Sequence, residues 1–229
     1  MIRTLLLTLA LGACATRNDP VEVLGSYLEA EQEGRYAAAH ALLSAEDQAA
    51  RPLDAYVEEH LAAGPLWRAV ATRTAFHVEE VVPSDDHTTV RIRATHPDAR
   101  AVAEQLRGLP NDVVAASADP DQLMFEYVRN ELLERSFPTA EESLEFHLQP
   151  SGSTWRLWLG LAHVDAAVRL ASRAQISRER GETGAEREAL RALLDVPHDP
   201  AGGVATLQAG ARERLAALEA PEKPTGETP

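Results

Sequence analysis

The chain has 229 residues, 22 basic against 36 acidic, a net charge of −14 and one cysteine. That balance excludes a nucleic-acid binder, which needs a basic face to neutralise phosphates, and it excludes charge-driven binding to anionic lipid. A single cysteine excludes an internal disulfide, so a chain long enough for one or two domains must be held by packing.

Arg3 is followed by the apolar run Leu5-Leu6-Leu7-Thr8-Leu9-Ala10-Leu11, and then by Gly12-Ala13-Cys14. A basic start, a brief hydrophobic stretch and small residues form an export signal over residues 1–13. The run falls far short of the roughly 20 apolar residues that span a bilayer. Leu11-Gly12-Ala13-Cys14 resembles the lipobox of bacterial lipoproteins. The resemblance implies cleavage before Cys14 and acylation of that cysteine, which anchors the protein at the cell envelope by lipid. Each buried methylene of such a chain contributes about 0.8 kcal/mol. Ala15, where Asp would favour the inner membrane, leans the expected location toward the outer membrane. Ordinary secretion is the rival reading, because Ala13-Cys14-Ala15 also fits a small-x-small cleavage site that would discard the cysteine.

Residues 14–19 read as a polar tether. Pro20 opens a helical stripe of Val23, Leu24, Tyr27 and Leu28 that ends at Gly34. Tyr36, Ala39, His40 and Leu43 make a second stripe, and Leu53, Tyr56, Val57 and Leu61 a third. The period then changes to two. Phe76 and Val78 open an extended stretch to Val82, and Pro83-Ser84-Asp85-Asp86 turns it into Val90, Ile92 and Ala94, which alternate with polar residues. Leu144, Phe146 and Leu148 alternate likewise, and Pro150-Ser151-Gly152-Ser153 leads to Trp155, Leu157, Leu159 and Leu161. Two antiparallel hairpins are expected. Residues 98–138 between them read as helix, loop, helix: an insertion or lid too small for its own core. After Leu161 come three more helical stripes: Val164 to about Arg180, Ala185 to Leu194, and Val204 to Leu218. Residues 221–229 hold nothing apolar and read as a disordered tail.

Three segments within residues 20–162 resemble the nuclear-transport-factor-two-like superfamily: Tyr27-Leu28-Glu29-Ala30, Gly34-Arg35-Tyr36-Ala37-Ala38-Ala39 and Gly152-Ser153-Thr154-Trp155-Arg156-Leu157. The resemblance implies an α+β fold in which a curved antiparallel sheet wraps the N-terminal helices into a cone, whose mouth is often a pocket. The insertion departs from that pattern. Residues 163–220 are expected to form a helical C-terminal module. Its Ala174–Gly181, Arg187–Leu194 and Asp199-Pro200 resemble one tetratricopeptide unit with a late proline. A single unit makes no solenoid, so a cap on the sheet is expected. Val168 and Ala171 would cover Trp158, which alternation places on the face opposite Trp155 and Leu157.

Reactive motifs are absent from the sequence. His60 follows Glu58-Glu59 but no second histidine completes HExxH, and there is no nucleophile elbow, phosphate loop or dinucleotide fingerprint. Asp85, Asp86, His87, His96 and Asp98 are expected at opposite ends of a hairpin, as solvated turns. His77 and Glu79 would share an outward strand face. Tyr27, Trp67, Phe76, Trp155 and Trp158 are the candidates for a pocket or interface, against the plainer role of core filling.

The resulting expectation is a lipid-anchored envelope protein without enzymatic activity, cofactor or metal, working through an envelope protein partner. A small-molecule or lipid-binding pocket protein is the alternative, and a cone-fold enzyme the third reading. An enclosed cavity with convergent polar groups would favour the pocket; an exposed apolar patch would favour the partner.

Overall fold

The computed structural model describes residues 19–106, 111–200 and 202–219. The expected signal segment (residues 1–13), the expected acylation site Cys14 and the expected disordered tail (residues 221–229) lie outside those residues. Among the described residues no helix is long and apolar enough to cross a membrane.

Five helices come first: α1 (Pro20–Gln32), α2 (Tyr36–His40), α3 (Ala45–Ala50), α4 (Leu53–Ala62) and α5 (Pro65–Ala71). The Asp19 side chain accepts the Val21 amide and Pro20 takes the first turn, so α1 starts where its caps dictate. Gly34 takes φ 69° and turns the chain into α2. The sequence pattern anticipated three of these five helices. α3 (Ala-Glu-Asp-Gln-Ala-Ala) has no apolar stripe to read, only the Ser44 cap and its acidic first turn. α5 is announced by Pro65 and by Leu66, Ala69 and Val70, too short a run for a clear period.

The sheet is a four-stranded antiparallel meander in the order β1 (Ala75–Pro83), β2 (Thr88–Pro97), β3 (Thr139–Ser151), β4 (Thr154–Trp158). Both expected hairpins form. The strict alternation of β2 holds, with Val90, Ile92 and Ala94 buried. Its other face is charged: Arg91 bridges Glu80 and Glu145, and Arg93 pairs with Glu79 at a bulge of β1. That side faces water, as one side of an antiparallel sheet commonly does. β4 ends at Trp158, so Leu161 is not a strand residue as its alternation suggested; it starts the next helix. The loop after α2 closes the free edge of β4, the Leu157 amide donating to the Leu42 carbonyl and the Ser44 amide to Leu157.

The buried face of the sheet packs on α1, α2 and α4. Leu24, Tyr27, Leu43, Tyr56, Val90, Ile92, Leu148 and Leu157 form one core, with Leu28 and Leu159 at its margin. A second core is built by the segment of chain that joins β2 to β3, together with α5. There α6 (Ala99–Gln105), α7 (Asn111–Ala115) and α8 (Pro120–Glu134) come next in the chain, and Val102, Val128 and Leu132 bury against Ala69 and Val70 of α5. The inserted helices thus bury their apolar side by borrowing α5.

The third core belongs to α9 (Leu161–Glu179), α10 (Thr183–Leu194) and α11 (Gly203–Glu219), through Ala167, Ala174, Leu190, Leu193, Val204, Ala211 and Leu215. The Gln208 amide donates to the carbonyls of Leu193, Leu194 and Val196, satisfying the end of α10. Val168 and Ala171 do not cover Trp158 as expected: Val168 is 48% exposed and Ala171 packs in the third core. α9 runs against α3 instead, and it meets the half-buried Trp158 through His163. Its placement is decided by Asp47, buried in α3, which accepts the Leu159 and Leu161 amides at 2.7 Å each. Gly160 between them takes φ 68°, and a Cβ there would stand 3.1 Å from the Cβ of Asp199. Arg51 then holds Asp165 of α9 at 2.6 Å.

Candidate functional site

Two helical pairs of one-turn spacing build the site. Tyr27 and Glu31 stack on one face of α1, and Tyr56 and His60 on one face of α4. Where these faces meet, the Tyr27 hydroxyl lies 3.2 Å from that of Tyr56, which donates to the Glu31 carboxylate at 2.5 Å. His60 Nε2 meets the other Glu31 oxygen at 2.9 Å, and its Nδ1 meets the Tyr56 carbonyl at 2.7 Å. Both ring nitrogens therefore face acceptors, which only the imidazolium satisfies fully. Burial alone would pull the His60 pKa down. The Glu31 hydrogen bond, the Tyr56 carbonyl and nearby carboxylates outweigh it and raise the value. Burial pushes the Tyr27 and Tyr56 phenols up, so both stay protonated.

Outward from this relay opens a cavity of about 640 Å³, within the roughly 300–1,000 Å³ usual for small-molecule sites. Glu31, Tyr36 and His60 form one wall, with the Tyr36 and His60 rings 4.9 Å apart. Leu28, Leu61, Trp67 and Phe76 supply apolar surface. Phe125 and Arg129 of α8 close the far side. Gln32 donates to the Thr74 carbonyl at 2.5 Å and to Ala71 at 3.2 Å, fixing the end of α1 against α5.

Arg68 enters the cavity from α5. Its guanidinium carbon lies 5.3 Å from the Phe125 ring centre, and Arg129 lies over the same ring at 5.6 Å. Arg129 pairs with Glu126. The Arg68 Nε is buried without a hydrogen-bond partner, a state that costs about 1–3 kcal/mol for a buried donor. Burial and Glu31 raise the Tyr36 pKa, and Arg68 opposes them, which places the guanidinium within electrostatic reach of that phenol.

No protein-family model matches the chain, and no curated protein or solved structure matches it. The site therefore stands on its own geometry.

The five aromatic residues singled out by pattern scatter. Trp67, 58% exposed, and half-buried Phe76 line the cavity. Tyr27 sits in the core as the inner end of the relay. Trp155 packs at the margin of the same core. Trp158 lies away from the cavity, beside His147 and edge-on to His163 at 5.6 Å, its indole N–H buried without an acceptor. The carboxylates and histidines of the first hairpin do not converge. Asp86 holds His87 at the turn, whereas Asp98 caps α6 at the other end. Among the described residues no group of three or more such side chains is placed to hold a metal. No motif singled out Glu31 or Arg68 in the sequence, Tyr36 stood there only as part of a helical stripe and of the family resemblance, and His60 was weighed only as a metal ligand. The available signal was the paired i, i+4 spacing Tyr27–Glu31 and Tyr56–His60.

Proposed function

We propose that this chain is an exported, lipid-anchored envelope protein that binds a small, largely apolar molecule in the cavity between α1, α4, α5 and α8. The observation that carries the reading is a half-open cavity of ligand size, walled by aromatic and aliphatic side chains, into which a few polar groups converge. The pocket reading is thereby preferred to the partner-binding one. Binding without catalysis is supported by the relay itself. Both nitrogens of His60 are engaged with protein acceptors, so the imidazolium offers no free lone pair as a base. Helices on one face of an antiparallel sheet support a cone of the nuclear-transport-factor-two-like kind, with the cavity beside its mouth. The lipobox-like Leu11-Gly12-Ala13-Cys14 supports the anchor, and Ala15 the outer membrane. Cys14→Ser is expected to abolish incorporation of labelled palmitate; a wild-type protein that takes up none would end the anchored reading.

The test of the pocket uses the neutral fluorophore N-phenyl-1-naphthylamine. Its emission should rise on titration with wild-type protein and fall at least fivefold in Ala71→Trp, which fills the cavity from α5. Unchanged binding in that variant, with far-UV circular dichroism intact, would refute the pocket.

A second reading, docking of a protein partner, is supported by the outer face of α9. Val168 and Ile176 are 48% and 47% exposed there, beside Arg169, Arg173 and Arg180. A basic, apolar strip on an acidic protein suits an acidic partner. Val168→Asp with Ile176→Asp should abolish cross-linking to an envelope protein that wild type captures; equal capture by both would exclude this face.

A further inference from the structure

We infer that the cavity ligand is an amphiphilic monocarboxylate whose acid group is received by Arg68. This rests on the pocket reading and names its ligand class.

The inference comes from the charges that surround the cavity. Glu31 is matched by His60, Glu33 by Arg35 and Glu126 by Arg129. Arg68 has no carboxylate of its own among the described residues. Its Nε is shielded from water and makes no hydrogen bond, although a guanidinium carries five donors in a rigid fork. Such a fork is matched by a planar carboxylate, which takes two parallel N–H bonds. Arg68 and Arg129 also lie over one ring, Phe125, so two cations meet on a single wall of the cavity. Glu33 and Glu126 line the same cavity, and the chain as a whole carries −14. A second negative charge on the ligand would be repelled, and one is the number Arg68 leaves uncompensated. The remaining lining, with Leu28, Leu61, Trp67 and Phe76, suits an apolar or aromatic body.

Two sources of this chemistry differ in the body attached to the acid: a flat aromatic acid or a short acyl chain. Both are represented in the test by pairs that share shape and differ in charge. The probes are 1-naphthylacetate with 1-naphthylacetamide, and decanoate with decanamide, each titrated calorimetrically into the full-length protein. In at least one pair the acid should bind tenfold or more tightly than its amide, and the pair that does so identifies the source. Arg68→Gln should bring the two members of that pair within twofold, while Arg68→Lys retains part of the preference. The melting temperature of each variant, together with N-phenyl-1-naphthylamine binding, establishes that the cavity is intact. If acid and amide bind wild type equally, or if Arg68→Gln leaves the preference in place, the carboxylate assignment is wrong while the pocket stands. If neither pair nor the neutral fluorophore binds, the pocket itself falls and the assignment with it.

Discussion

Asp47 is expected to be the most sensitive polar position in the protein. It is fully buried in α3 and accepts the Leu159 and Leu161 amides at 2.7 Å each and the Ser44 hydroxyl at 2.9 Å. Those two amides belong to the turn that joins the sheet to α9, so one carboxylate ties the C-terminal helices to the N-terminal ones. Asp47→Ala leaves both amides without acceptors, at about 1–3 kcal/mol each for a buried donor. Taking the middle of that range gives a loss of about 4 kcal/mol, a large share of the roughly 5–15 kcal/mol that holds a domain together. With a urea slope of about 2 kcal/mol/M, the unfolding midpoint should fall by about 2 M. Asp47→Asn keeps one accepting oxygen and sets an NH₂ against the other amide, so about half that loss is expected. Urea titration followed by circular dichroism measures the loss, and hydrogen exchange at Leu159 and Leu161 locates it. A fall of less than 0.5 M in Asp47→Ala, at about that slope, with exchange at both amides unchanged, would refute the reasoning.

Ile92 is completely buried on β2, and Ile92→Asp places an unpaired charge in the main core; no cooperative unfolding transition should remain, and a normal one would show that this face is not the core. His60 has a raised pKa, so its stabilising contribution is full below the ordinary value of about 6.5 and is lost as pH rises through the higher folded value. Glu31→Gln should lower the His60 pKa in an NMR titration and remove that alkaline loss; an unshifted titration would show that Glu31 does not hold the ring. Asp165 behaves in the opposite sense. The Arg51 hydrogen bond, opposed by partial burial, lowers its pKa, so its contribution is present above the ordinary value of about 3.9 and is lost as pH falls through the lower folded value. Asp165→Asn should flatten that part of the acid-unfolding profile, and a profile superimposable on wild type would sink the claim.

Periodicity and caps were enough to place the elements that carry their own pattern. The stripe of α1, the alternation of Val90, Ile92 and Ala94, both hairpins and the three C-terminal helices follow from local sequence, because a period of 3.6 or 2 declares which face is buried. The same signal was silent for α3, which buries only its Asp47 side chain, and it carried the β4 pattern three residues too far, to Leu161. What lies against what was decided by long-range groups with no period. Asp47 and Gly160 send α9 along α3 and not across the sheet, and α5 completes the core of the inserted helices. The candidate site belongs to this second category. Glu31, Tyr36, His60, Arg68 and Phe125 come from four helices and a helix inserted far along the chain, and each alone reads as an ordinary surface or core residue. Hydrophobic burial is non-directional and leaves its mark on every turn of sequence. Hydrogen bonds and ion pairs act between particular atoms, and only the packed chain brings those atoms within reach of one another.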